Sequence, residues 1–136
     1  MKRVTPVILA AAGLLVLLDV VGALTGKPLG FPYSPLSTVS LLIYLSVGVV
    51  GSLRAGVTMA AFAAAAVGFL DGTLGPLAAW MAGPGPMGQT ITEPRVFAYG
   101  TAVVTATALV AGLVGALPAH WLDRRRNLRT ASIISR

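Results

Sequence analysis

The stretch AGVTMAAFAAAAVGFLDGTLG, residues 55–75, carries a single charged side chain, Asp71, among small and apolar residues. A helix that crosses a lipid bilayer needs roughly 20 consecutive, mostly apolar residues. This stretch has that length, so we predict that it spans a membrane. The same argument predicts three further spans, at residues 4–24, 36–53 and 96–117.

The composition of the whole chain supports the same fold class. The 136 residues are 56% hydrophobic, and the mean hydropathy is +0.86. A soluble core of this size could not bury so many apolar side chains. We therefore predict an all-α membrane protein, with four transmembrane helices in a compact antiparallel bundle over residues 1–122 and a basic cytoplasmic tail over residues 123–136.

The basic residues are distributed unevenly between the two ends of the predicted spans. The formal net charge is +6, yet only Lys27 and Arg95 fall on one side of the predicted bundle. Because Lys and Arg in short loops mark the cytoplasmic side, both termini are expected to be cytoplasmic, in a bacterial or archaeal cell membrane. Tail arginines attract anionic lipid headgroups, and no nucleic-acid partner is expected. The expected lipid-surface anchor consists of Arg124, Arg125, Arg126 and Arg129.

A Gly-Pro pair near the end of the third span suggests a break in the helix. Gly75 is followed by Pro76, and proline lacks the backbone N–H that continues a helix. We predict that the third span ends there and that residues 77–81 form a short interfacial helix in the second outer loop. The alternative is that the third span bends at Pro76 and continues to Met81.

Small residues recur every four positions along the third span: Gly56, Ala60, Ala64, Gly68 and Gly72. Such residues share one helix face, and they let another helix backbone approach closely in lipid. This small-residue stripe predicts a helix-packing surface. Its partner is either another helix of the same chain or the same helix of a second copy.

Two acidic residues fall inside predicted spans, at similar distances from the basic inner ends of their helices. Asp19 and Asp71 should therefore lie at nearly the same depth, toward the outer side. A charged group within a bilayer is costly and is commonly functional, so the pair is a candidate ion or proton site. In the alternative interpretation, each carboxylate caps a helix end at the outer interface, paired with Lys27 or Arg95.

Little else in the sequence points to chemistry. The chain has no cysteine, and His120 is its one histidine. We find no nucleophile placed beside a base and no metal-ligand spacing, so no enzymatic activity, cofactor or metal is expected. Tyr44 shares a helix face with Ser40 and Gly48, and its hydroxyl must find a hydrogen-bond partner in lipid. Core packing is the expected role of that face.

Two functions are compatible with these features. In the first, the protein acts by helix packing, as a homo-oligomer or as an accessory subunit of a membrane complex. This interpretation rests on the small-residue stripe and the scarcity of polar groups. In the second, the protein is a small proton- or cation-coupled transporter or channel that uses Asp19 and Asp71 as its ion site.

Overall fold

The computed structural model describes residues 4–29, 34–82 and 93–134, with side chains described over residues 4–24, 36–81 and 93–125. Its four helices are α1 (Thr5–Leu29), α2 (Ser34–Ala55), α3 (Val57–Ala82) and α4 (Pro94–Ile134). Each contains a stretch long and apolar enough to cross a membrane. The predicted all-α fold with four membrane-length helices is confirmed, while the cytoplasmic location of the termini stays a prediction.

The helices alternate in direction around a central α3. Along α3 and α4, Gly72 meets Thr101 whereas Ala64 meets Gly112, so these two helices are antiparallel. Helix α2 is antiparallel to α3, since Gly51 meets Ala60 and Tyr44 meets Asp71. Helix α3 packs against all three other helices. Helix α1 packs chiefly on α3. The result is the predicted compact bundle.

The interior is made of small side chains, and many large apolar side chains face outward. Ala60, Ala63 and Ala64 of α3 are fully buried, whereas Phe62 and Phe69 of the same helix are more than half exposed. This distribution suits a lipid environment, where helices are held together by close packing of small residues. It supports the membrane assignment independently of hydropathy.

Gly56 lies between two helices, which corrects its assignment to the small-residue stripe. Its φ of 85° is in the left-handed region that favours glycine, and its N–H donates to the Ser52 carbonyl at 2.9 Å. This is the usual way in which a glycine ends a helix. Gly56 therefore forms the turn between α2 and α3 and packs against no partner helix.

The predicted interfacial helix over residues 77–81 is absent as a separate element, because α3 continues through Pro76 to Ala82. A proline leaves the carbonyl four residues earlier without a donor, here that of Gly72. The hydroxyl of Thr101 in α4 donates to this buried carbonyl at 2.8 Å. In lipid, a helix tolerates proline where a neighbouring helix satisfies the freed group. Of the two predictions, the continuation of the third span past Pro76 is the correct one.

The first and last helices also extend beyond their predicted spans. Helix α1 continues past residue 24 to Leu29, and α4 passes through Pro118 to Ile134. Most of the basic stretch after residue 122 is therefore helical. Pro94, at the other end of α4, is its first residue, where a missing N–H costs nothing.

Candidate functional site

The two membrane aspartates lie side by side near Gly75. A methyl group built on Gly75 would overlap Asp19 Oδ2 and would lie 3.6 Å from Asp71 Oδ1. Asp19 comes from α1 and Asp71 from α3, so the contact between these parallel helices brings the carboxylates together. Glycine at position 75 leaves the space that the Asp19 carboxylate occupies.

Neither aspartate caps a helix end. Helix α1 continues beyond Asp19 to Leu29, and α3 continues beyond Asp71 to Ala82. The interpretation of these residues as interfacial caps is therefore wrong, because both helices continue beyond the ends predicted for the first and third spans. Both side chains are half-buried within the bundle.

Helix α2 supplies the third polar group of the site. The hydroxyl of buried Tyr44 donates a hydrogen bond to Asp71 Oδ2. The other oxygen, Asp71 Oδ1, is buried and has no hydrogen-bond partner within the described residues. Because a buried carboxylate oxygen without a partner is costly, a proton, a water molecule or a cation would stabilise this arrangement.

A cavity of about 370 Å³ adjoins the aspartates and lies between α2 and α4. Asp19, Asp71 and Tyr44 line it together with residues from the first halves of α2 and α4. We call it the α2–α4 groove. Its other lining residues are Leu36, Ser37, Ser40, Gly72, Pro76, Val96, Phe97, Gly100, Thr101, Val103, Val104 and Thr107.

Three of the hydroxyl groups that line the groove donate their hydrogens to backbone carbonyls. Ser40 donates to Leu36 at 3.2 Å and Thr107 to Val103 at 2.8 Å, and Thr101 donates to Gly72. Such a hydroxyl still has acceptor lone pairs. Its polar contribution to the groove is therefore an oxygen atom that can accept a hydrogen bond or contact a cation.

The electrostatic character of the groove is acidic. Among the side chains that the structure describes, no lysine, arginine or histidine lines it. His120, the histidine considered above, lies on α4 and is not part of it. The same residues contain no group of three or more His, Cys, Asp or Glu side chains that could hold a metal ion. The site therefore offers two carboxylates and neutral oxygens.

Four residues of the small-residue stripe face other helices of the same chain. Ala60 meets Gly51 of α2, and the remaining three face α4. A methyl group on Gly68 would lie 3.0 Å from the Thr105 Cα and would overlap the Ala108 side chain. Helices α2 and α4 of the same chain thus cover the part of the small-residue stripe that lies on α3, and α4 covers most of it.

The arginines of the expected lipid anchor lie on the extension of α4. Arg124 and Arg125 are exposed, and the Arg125 guanidinium stacks 3.4 Å from the centroid of the Trp121 ring. The side chains of Arg126 and Arg129 lie outside the described residues. These residues form no part of the groove.

Sequence reasoning missed the roles of Tyr44, Gly75 and Thr101. In the sequence, the need for a hydroxyl partner points to Tyr44 without identifying that partner, and the Gly-Pro pair is typical of a helix end. For Thr101, the feature of the sequence that could have indicated its role is a hydroxyl group within an apolar span. All three roles depend on contacts between residues of different helices.

No protein-family model matches the sequence, and neither the curated proteins nor the solved structures include a match to it. The class of protein therefore follows from the fold alone. Four packed helices, each long and apolar enough to cross a membrane, suggest a small integral membrane protein.

Proposed function

We propose that this protein transfers protons or small cations across the membrane and that the Asp19–Asp71 pair is its binding site. The observation that carries the proposal is the convergence of both carboxylates on Gly75, beside the α2–α4 groove. Ionisable residues inside a membrane domain face cavities or partners and mark ion and proton pathways.

The electrostatics of the pair favour binding of a positive charge. A charged side chain costs at least about 2.5 kcal/mol at the centre of a membrane helix and less toward the interface, and two adjacent carboxylates also repel each other. A proton or cation shared by the pair reduces both costs. The unpartnered Asp71 Oδ1 is where such a charge would gain most.

A function in helix packing requires a surface that is free to contact another protein. The small-residue stripe does not supply it, because α4 covers most of that stripe. Association with another copy or another subunit stays a prediction for the lipid-facing surfaces of the bundle. Anionic lipids remain the expected partners of the arginines on α4.

The test is ion flux in proteoliposomes, followed with an internal pH dye and a potential dye. Wild type should carry protons or a monovalent cation, and Asp19→Asn/Asp71→Asn should abolish the flux. Glu93→Gln is the control, because Glu93 is an exposed carboxylate at the start of α4. It should carry the wild-type flux.

A folded and inserted wild type without flux would overturn the proposal. Equal flux in wild type and the double asparagine variant would remove the aspartates from the mechanism. Helical content and monodispersity in detergent check that each variant is folded.

A further inference from the structure

The α2–α4 groove extends along two helices, farther than the binding of an inorganic ion requires. On α2 its lining extends from Leu36 to Tyr44, and on α4 it extends from Val96 to Thr107. Just beyond, the helices touch backbone to backbone, since a methyl group on Gly48 would overlap the Gly112 carbonyl oxygen. The helices are therefore in close contact around Gly48 and leave space toward the first residues of both.

The walls of the groove are mostly apolar and reach the outer surface of the bundle. Val96 and Val103 are 41% and 45% exposed while they line the cavity. Both lie in the membrane-length part of α4. The groove thus opens sideways between α2 and α4, at a level where lipid chains would surround the protein.

The carboxylate side of the groove has the opposite character. Asp19, Asp71 and Tyr44, which bonds Asp71, contribute to it, and no described basic side chain lines the cavity. An apolar body would suit the walls, and a positive charge would complement the carboxylates. An aromatic ring near the carboxylates further favours a cation without strong hydration.

We propose that the α2–α4 groove binds a lipophilic organic cation, which enters from the lipid phase between α2 and α4 and places its charge against Asp19 and Asp71. The inference rests on the proposed function, since it names the class of substrate that shares the carboxylate pair with protons. The cavity of about 370 Å³ falls within the common range of small-molecule sites. Binding of the cation and binding of a proton at the pair would then exclude each other.

Gly100 allows a direct test of the groove. It lines the cavity, and a Cβ at this position would meet no atom within 4 Å. Gly100→Leu should therefore fold normally and fill part of the groove. Gly13→Leu is the matched control, since Gly13 is exposed on α1, also has open space around its Cβ, and does not line the groove.

The experiment measures equilibrium binding of tetraphenylphosphonium to the full chain in lipid nanodiscs, with empty nanodiscs to subtract partition into lipid. Wild type and Gly13→Leu should bind the probe equally. Gly100→Leu should bind it at least tenfold more weakly, and Asp19→Asn/Asp71→Asn should lose binding. Triphenylphosphine oxide, which is neutral and carries three of the same rings, should not bind above the empty nanodiscs.

Several results would overturn the inference. One is equal binding by Gly100→Leu and Gly13→Leu, and another is specific binding of the neutral compound with similar affinity. Wild-type protein that carries protons in proteoliposomes but does not bind tetraphenylphosphonium would reject the organic cation and leave the proposed function intact. If wild type shows neither flux nor binding, both proposals fail.

Discussion

The hydroxyl of Thr101 donates a hydrogen bond of 2.8 Å to the carbonyl of Gly72, across the contact between α4 and α3. Pro76 is four residues after Gly72 and cannot donate to that carbonyl. The bond between the two helices therefore replaces a bond within one helix. It keeps α3 continuous past the aspartates, so that Gly75 and the pair lie inside the bundle.

Thr101→Val should destabilise the protein by about 1–3 kcal/mol, because it leaves the buried Gly72 carbonyl without a donor. In a Pro76→Ala background the same change should cost less, since alanine restores the backbone N–H. A double-mutant cycle on reversible unfolding in detergent or bicelles measures the difference. Identical costs in both backgrounds would disprove this account of α3.

Tyr44→Phe should weaken the site while the shape of the core is preserved, since only the hydroxyl that bonds Asp71 is removed. Hydrogen bonds between membrane helices average about 0.6 kcal/mol, with a maximum near 1.7 kcal/mol. We expect a stability loss in that range together with reduced flux. Tyr99→Phe is the control, because Tyr99 is 73% exposed, and an equal effect of both changes would exclude a specific role for Tyr44.

Gly75→Ala should impair flux more than it impairs folding. Its methyl group would overlap Asp19 Oδ2, so this carboxylate must leave its position beside Gly75 and the geometry of the pair must change. Gly13→Ala, at an exposed site with open space, should leave flux unchanged. Flux through the proteoliposome assay is the measurement, and wild-type flux in Gly75→Ala would show that the spacing of the pair is unimportant.

Gly68→Ala should lower the stability of the single chain by about 1–3 kcal/mol, because its methyl group would overlap the Ala108 side chain and force α3 from α4. The free energy of unfolding should be lower than that of wild type at every protein concentration. If the variant changed only the association of copies, with unfolding of the dilute protein unaltered, the assignment of this face to α4 would be wrong.

The orientation in the membrane can be tested by cysteine labelling, since the chain has no cysteine of its own. Glu93→Cys and Arg124→Cys introduce exposed sites near opposite ends of the membrane-length part of α4. With cytoplasmic termini, a membrane-impermeant maleimide should label Glu93→Cys in intact cells and Arg124→Cys only after permeabilisation. The reverse pattern would refute the orientation predicted from the basic residues.

The number and type of the helices could be predicted from the sequence because hydrophobic length is a local property. Residues 57–75, which lie within α3, are long enough and apolar enough to cross a membrane, and this can be recognised from the sequence alone. The presence of Asp19 and Asp71 within spans was also evident, as was their similar depth. Each of these conclusions requires only the chain direction and the rise of a helix.

The helix ends near proline could not be predicted in the same way. Pro76 removes a donor from α3, and whether the helix stops depends on whether another group satisfies the Gly72 carbonyl. That group, Thr101, lies on a different helix and after the second outer loop. A local pattern contains no information about such a partner.

The sequence by itself determined a membrane-embedded four-helix protein with two carboxylates at one level, since these follow from composition and from positions along single helices. The tertiary structure alone decided that the carboxylates meet at Gly75, that Tyr44 bonds Asp71, and that a groove opens beside them. The physical reason is that helix packing sets the rotation of each helix about its own axis, and therefore which face turns inward. In this chain, close contact between small residues determines that packing.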